Sequence, residues 1–544
     1  MKNKLLIILL ALAVFVPFVF SNWGLTESSE ARYAEISREM YTGGDYLHPK
    51  LLGIQHFHKP PVAYYITALG YSIFGVNEYG ARFFLQIALL LQVILVFAIA
   101  QLLFKSRNLS LAAALIYFSY PVVQIAAKDL TTDAYLTAFI FAGIYCFIRY
   151  HAPDRKYIYL YLFYILSALA FLTKGPVAVM PQFIFAVCYM RVMKIRFRFS
   201  AHWLAGLILF LLLSASWFVA LLAENKDFYH YFFYYQLVSR VSGDVFHRSQ
   251  PFWYYFLMMP LMALPAFIYF IGYVVRAVRT KKISSPLVKI LSIPLILMFI
   301  VFSASSSKLI LYVLPLYLFI AILSAKYLTA LSPKCSKAFD QWSLIFAVIV
   351  FTAAGAAHFF TTGFNVPLLL VPMCAAGIII MFLIYRKPVV QAGFLKAPVL
   401  NGITIAWLVL LLPFLMKANE TAVNSVKPVA EYININAKGA VTNVSVYDYL
   451  LPSLAFYTRQ NIITLDNGYH IAARETYFEK TNDHKGYGYI RIFDTTARQK
   501  LHDILSDTTG FTVAREGDLP PDSLSALRKT GRLHIIDNRW YIFH

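Results

Sequence analysis

The stretch from Glu27 to Pro61, ESSEARYAEISREMYTGGDYLHPKLLGIQHFHKPP, gathers groups able to do chemistry. It carries Glu27, Glu30, Glu35, Glu39 and Asp45 beside Arg32, Arg38, Lys50 and Lys59, in a chain with only 14% charged residues. One hydrophobic segment precedes it and a long series of others follows. Charge kept near a bilayer is costly and usually marks a working site. A solvated amphipathic connector is the plainer alternative. Carboxylates here can take a proton from an attacking group, and fixed cations can neutralise a departing anion.

The elements that must position this stretch follow from composition. The chain has 544 residues, 59% hydrophobic and 17% aromatic. Such composition fits a polytopic membrane protein rather than a soluble globule. Lys2 and Lys4 precede an apolar run, but no small-residue cleavage site follows Phe20, so this run reads as an uncleaved first helix. The net charge of +21 does not point to nucleic acid, because much of the Lys and Arg excess sits in short loops between apolar segments. Cys146, Cys188, Cys335 and Cys374 have no paired spacing and give neither a metal motif nor a disulfide framework.

Apolar stretches near 4–21, 81–104, 109–127, 134–149, 157–173, 176–190, 203–222, 253–275, 288–306, 309–325, 342–360, 365–385 and 397–416 give about thirteen transmembrane helices. With the N terminus inside, six alternate loops are basic, from Lys105/Arg107 to Arg386/Lys387/Lys396, which sets the orientation. The opposite loops carry the first stretch, Asp129 and Asp133 in KDLTTD, Lys174 in LTKGP, residues 224–250, and Lys308 in SSSKLILYVLP. Each alone can be a snorkelling anchor. Together they point to a cavity at the outer face.

Within the first loop, Ser28 or Ser29 can cap a helix that Gly43-Gly44 ends. Tyr33, Ile36 and Met40 fall on one side of it, which suits a helix lying in the membrane interface. Pro60-Pro61 breaks the chain before an amphiphilic run, Tyr64 to Phe74, that is too short to span. The domains are therefore read as 1–416, a transmembrane domain whose residues 22–80 form the first extracytoplasmic loop, and 417–544, a small soluble α/β domain outside. In the latter VTNVSVYDY, NIITLD, YGYIRIFD, FTVAREG and the RLHIID–YIFH end read as strands, and VKPVAEYINI, TARQKLHDILSD and PDSLSALRKTG as helices. No Gly-rich phosphate loop occurs in it, so no nucleotide cofactor is expected.

A group-transfer enzyme outside the cytoplasm needs a donor presented from the membrane, and a polyprenyl-phosphate sugar fits. Lys59, Arg32, Lys174 and Lys308 supply cations for its phosphate, and Glu30 and Asp133 supply carboxylates.

SEARYAEISREM, GGDYLHPKLLG and HFHKPPVAYY closely resemble the first extracytoplasmic loop of bacterial membrane glycosyltransferases, namely the lipid A aminoarabinose transferases and their relatives among the protein O-mannosyltransferases. TTDAYLTAF, FLTKGPVAVMPQ and SKLILYVLPLY are similar to later blocks in the same order, covering residues 20 to about 320. The resemblance implies a C-type glycosyltransferase fold and a lipid-phosphate sugar donor. By that resemblance Arg32, Lys59, Lys174 and Tyr312 match the donor pocket, with Lys308 beside Tyr312, and Asp133 matches a cavity acid. Two positions depart from the family pattern. Its favoured catalytic Asp is Ser29 here, leaving Glu30, with Glu27 one turn away. The family's Glu before Lys59, part of a metal site, is His58. Histidine can bind zinc, so His58 is the one candidate metal ligand, without an identified partner; structural or hydrogen-bonding roles are the expectation for His56, His58, His230 and His247.

The leading expectation is a glycosyltransferase that inverts the sugar carbon while moving it from a polyprenyl phosphate to a lipid or protein acceptor. Its partners are then that donor, the acceptor and membrane lipids, without nucleic acid; its place is the bacterial inner membrane. A divalent metal is left open. The rival from another class is a lipid-linked sugar flippase, which needs charges at mid-membrane depth rather than in outer loops. A partner-binding scaffold leaves the first-loop charges unexplained.

Overall fold

The computed structural model describes residues 2–27, 29–238, 249–280, 285–387, 392–438, 442–468, 475, 478, 488–492, 498–506, 509–518 and 533–544. The residues form two compact units, one of Met1–Ser21 and Arg82–Leu415, the other of Asn22–Ala81 and Met416–His544.

The first unit is helical. All thirteen apolar stretches contain helix. Seven helices among the described residues are long and apolar enough to cross a membrane, and shorter apolar ones accompany them. The chain is a multi-pass membrane protein. Two expected spans are broken where prolines remove the N–H that a continuing helix needs. The 109–127 stretch divides into Arg107–Phe118 and Pro121–Ala126. The 253–275 stretch divides into Tyr254–Leu261 and Phe267–Thr280, with Pro260 and Pro265 at the break. Helices Pro333–Phe360, Leu370–Arg386 and Lys396–Lys417 close on a core of Ala347, Phe351, Cys374, Met381 and Leu400.

Helices Asp133–Tyr150 and Tyr157–Lys174 matter most for the site. Each has 18 residues, and six residues join them. Equal antiparallel helices on a short loop bring the first residue of one beside the last of the other. Gly175, at φ +83°, ends the second helix in a conformation that suits glycine.

The second unit begins with helix Ser29–Gly43, then the two-stranded hairpin β1 (Lys50–Leu51) and β2 (Ile54–Gln55), then helix Val62–Phe74. Leu52 and Gly53 both have positive φ, as a two-residue hairpin turn of the favoured hand requires. Its C-terminal part is α/β as expected. β3 (Asn443–Tyr447), β4 (Asn461–Asp466), β5 (Gly488–Arg491), β6 (Phe511–Arg515), β7 (Leu533–Ile536) and β8 (Trp540–Phe543) form one sheet in the order β5-β4-β3-β6-β8-β7. β5, β4, β3 and β6 run parallel, and β8 turns antiparallel onto β6. Val444 pairs with Ile462 on one side and Phe511 on the other, so β3 is buried between neighbours and reads as apolar. Helices Lys427–Ala437 and Arg498–Ser506 match two expected helices; PDSLSALRKTG lies outside the described residues.

The first-loop helix differs from its expected setting. Ile36 and Met40 are buried in one core with Val429, Ile433, Leu454 and Trp540, and Tyr33 packs against it. Protein rather than lipid covers its apolar side. The pattern that reads as interfacial is the same pattern that packs on a sheet domain.

Candidate active site

In the second unit, Glu27 lies just before helix Ser29–Gly43. Its backbone N–H donates to Asn424 O at 2.8 Å, and Asn424 Nδ2 donates to its carbonyl at 3.0 Å. Its Oε1 accepts from both the backbone N–H and the hydroxyl of Ser453. Its Oε2 is buried and accepts no hydrogen bond among the described residues. Burial pushes the carboxyl up to about 7, against the lowering by the Ser453 bonds and by Arg32. A carboxyl poised near neutrality suits proton transfer.

Glu30 is placed differently. Its Oε2 accepts from Thr26 N at 2.9 Å and Thr26 Oγ1 at 3.0 Å, fastening the entry to the helix. Ser29 begins that helix; Ser28 lies outside the described residues. Glu35 is buried and gripped at both oxygens by Arg38, at 2.7 and 2.6 Å. Glu39 accepts from Gly53 N at 2.9 Å and so holds the hairpin turn against the helix. A cavity of about 560 Å³ is lined by Glu35, Arg38, Glu39, Asp45, His48 and others, and none of the expected site residues faces it.

After the hairpin, His56 N–H bonds Pro49 O at 2.8 Å. The i, i+2 spacing then turns His56 and His58 the same way, as in a strand, while Phe57 meets Phe478 edge-on at 4.8 Å. Both histidines reach Glu475: His56 Nε2 lies 2.6 Å and His58 Nδ1 3.3 Å from its Oε2. Arg32 Nη2 stands 3.2 Å from Oε1. Burial raises the Glu475 carboxyl, but Arg32 and then the two histidines outweigh it, holding the group well below the usual carboxylate range. His56, His58 and Glu475 are all buried, with ligand atoms within 4.8 Å of one another, and could hold a metal ion. Lys59 follows this cluster, half-buried, with Pro60-Pro61 after it.

In the first unit, Asp133 and Lys174 form an ion pair at the two helix ends described above. Lys174 Nζ also sits 4.1 Å from the centroid of the Tyr312 ring, a cation–π contact. Lys308 is buried and donates to the carbonyls of Gln250 at 2.8 Å and Ser305 at 2.5 Å. Lys128 is buried too and donates to Gln86 Oε1 at 2.8 Å. His230 stacks on Tyr234; His247 lies outside the described residues.

The structure therefore brings Asp133, Lys174 and Tyr312 together, and Arg32 with His56 and His58. It holds Glu27 and Glu30 by different partners. Sequence reasoning missed Ser453 and Glu475, since nothing in the C-terminal residues marks either by spacing.

The family model for dolichyl-phosphate-mannose-protein mannosyltransferases matches residues 58–218. Over its whole length the chain superposes on the crystal structure of ArnT from Cupriavidus metallidurans bound to undecaprenyl phosphate, with a TM-score of 0.77, 21% identity and 98% of that chain covered. The chain has the C-type glycosyltransferase fold. The resemblance read in the first loop is borne out. An undecaprenyl phosphate-alpha-4-amino-4-deoxy-L-arabinose arabinosyl transferase 2 of Proteus mirabilis is 30% identical over 350 residues, 63% of this chain and 62% of that protein. A relative named as the same kind of transferase in Aeromonas salmonicida is 32% identical over 307 residues, 55% of each chain. The chain thus spans about three fifths of the length of the curated relatives it matches.

Proposed function

We propose that this chain is an integral membrane glycosyltransferase that moves a sugar from a polyprenyl phosphate to an acceptor at the outer face of a bacterial inner membrane, with its N terminus cytoplasmic and residues 417–544 outside. The observation that carries this is the whole-length fold match to a protein captured with undecaprenyl phosphate, and the resemblance that assigns Arg32, Lys59, Lys174 and Tyr312 to a donor pocket supports it. The named activity of the relatives favours an aminoarabinose-type sugar carried on undecaprenyl phosphate.

In the reaction an acceptor oxygen attacks the sugar's anomeric carbon from the face opposite the phosphate. A new C–O bond forms, the bond to the phosphate oxygen breaks with inversion, and polyprenyl phosphate leaves with the electron pair. Lys59 and Arg32, and Lys174, Lys308 and Tyr312, are assigned to the donor phosphate, where fixed cations offset the charge that develops. Glu27 is assigned as the base that receives the acceptor proton, because its carboxyl is raised to about 7 and its Oε2 accepts no hydrogen bond among the described residues. Glu30 is assigned a structural role, and Asp133 a positioning role through Lys174.

The test is transfer by purified chain in lipid nanodiscs, given undecaprenyl phosphate-linked aminoarabinose and lipid A and read by mass spectrometry of the lipids. A sugar-bearing acceptor and released undecaprenyl phosphate are expected. A donor left intact with every lipid and protein acceptor offered would reject the reading.

A further inference from the structure

We propose that the cavity between the first-loop helix and the end of helix Pro452–Thr458 binds a saccharide carrying an anionic group, a phosphate or a carboxylate, apart from the residues assigned to transfer.

The sequence prepares one wall. Glu35, Arg38, Glu39 and Thr42 recur at i, i+3, i+4 and i+7, so they form a single stripe along helix Ser29–Gly43. The hairpin brings Lys50 and Leu52 to the same space, and Arg459 and Ile462 close it from the C-terminal part of the same unit. Arg459 directly follows helix Pro452–Thr458, its N–H on Ala455 O at 2.9 Å. Glu39 lies well beyond Glu30 on the first-loop helix, roughly 14 Å along its axis, so the cavity is not the place assigned to the acceptor proton.

Size and lining name the ligand class. A volume of about 560 Å³ lies in the range of small-molecule sites. Met40, Leu52 and Ile462 supply apolar lining, against which the C–H face of a sugar ring can lie. The carboxyl and guanidinium groups beside them each present coplanar hydrogen-bonding atoms, which suit neighbouring ring hydroxyls.

Charge selects an anion. Arg38 grips Glu35, and Asp45 lies 3.0 Å from Lys50 and 2.9 Å from His48. Burial, with Glu35 beside it, pushes the Glu39 carboxyl up to about 8, so it stands protonated at neutral pH. Two carboxylates then face three cations, because Arg459 lines the cavity as well and pairs with neither acid. The surplus charge is the exposed Arg459 guanidinium, whose planar fork matches a phosphate or a carboxylate.

The inference rests on the cavity and not on transfer, so its test needs no sugar donor. Full-length chain in phosphatidylcholine nanodiscs is titrated calorimetrically with glucose 6-phosphate, glucuronate, glucose and inorganic phosphate. The first two are expected to bind saturably, and each more tightly than glucose or inorganic phosphate. Arg459→Gln, at an exposed side chain, should weaken both ~10-fold or more, the worth of one charge-assisted hydrogen bond. Lys59→Ala should leave binding unchanged, since a sugar phosphate seated in the donor site would be lost there instead. Glucuronosyl diacylglycerol placed in the discs separates the sources: competition with free glucuronate assigns the site to a lipid headgroup, and no competition assigns it to a soluble saccharide. Folded wild-type chain that binds neither anionic sugar overturns the proposal. Binding unchanged in Arg459→Gln, binding lost in Lys59→Ala, or inorganic phosphate bound as tightly as glucose 6-phosphate overturns it as well.

Discussion

Asp133 and Glu27 are both buried carboxyls that sequence reading places among the acids of an outer cavity, yet the two units treat them in opposite ways. Asp133, in the helical unit, meets the Lys174 ammonium directly, and Lys174 is further fixed over Tyr312. Glu27, in the other unit, is held by a neutral serine, with burial outweighing Arg32, so its proton is retained to about pH 7. An acid paired with a lysine organises charge; an acid buried among neutral donors can exchange a proton near neutrality. Partner type, rather than position in the sequence, separates the two roles.

The comparison can be broken at four points, taken from the largest effect to the smallest. Lys59→Ala is expected to abolish transfer in purified membranes while thermal unfolding stays near wild type; normal transfer would remove the donor site from the second unit. Glu27→Gln is expected to lower kcat by ~10²–10⁴-fold, the usual worth of a general base. In wild type the rate should climb as pH rises through about 7, and that limb should vanish in the glutamine variant. A raised carboxyl pKa stabilises the fold most below the ordinary value of 4.5 and loses that contribution as pH rises through about 7, so the variant's Tm should also fall less across that interval.

Asp133→Asn leaves the Lys174 charge without its carboxylate and is expected to cost the helical unit about 3 kcal/mol, a typical loss when one partner of a buried pair is removed. Calorimetry in detergent reads it, and the folded fraction should lose less activity than Glu27→Gln does. Glu30→Gln is the mildest. It weakens the Thr26 fastening by about 1 kcal/mol, in the range of a helix cap, and should leave the rate close to wild type. A pH limb lost from Glu30→Gln but kept in Glu27→Gln would exchange their assignments.

Much of this architecture is legible in the chain because its signals are local. Thirteen apolar runs, the Gly43-Gly44 stop and the C-terminal strands show through composition and period alone. What covers a buried face does not: Ile36 and Met40 look alike whether lipid or Val429 and Leu454 lie against them. Helix breaks at Pro121 and around Pro260–Pro265 are readable only once proline is allowed to outrank hydropathy. Arg32, Lys59, Lys174 and Tyr312 are named through resemblance, whereas Ser453 and Glu475 owe their roles to contacts across more than four hundred residues. The choice between Glu27 and Glu30 turns on those contacts.

The equal lengths of Asp133–Tyr150 and Tyr157–Lys174 carry a constraint on how this chain can change in length. Each residue added to a helix advances its end by 1.5 Å and swings it by roughly 100°. An inserted residue inside either helix would therefore carry an end charge around the rod and away from its mate, whereas one added among residues 151–156 lengthens only the far bend. Drift in length is tolerable at the bend and forbidden along the rods, so a contact between two charges fixes the arithmetic of a whole hairpin.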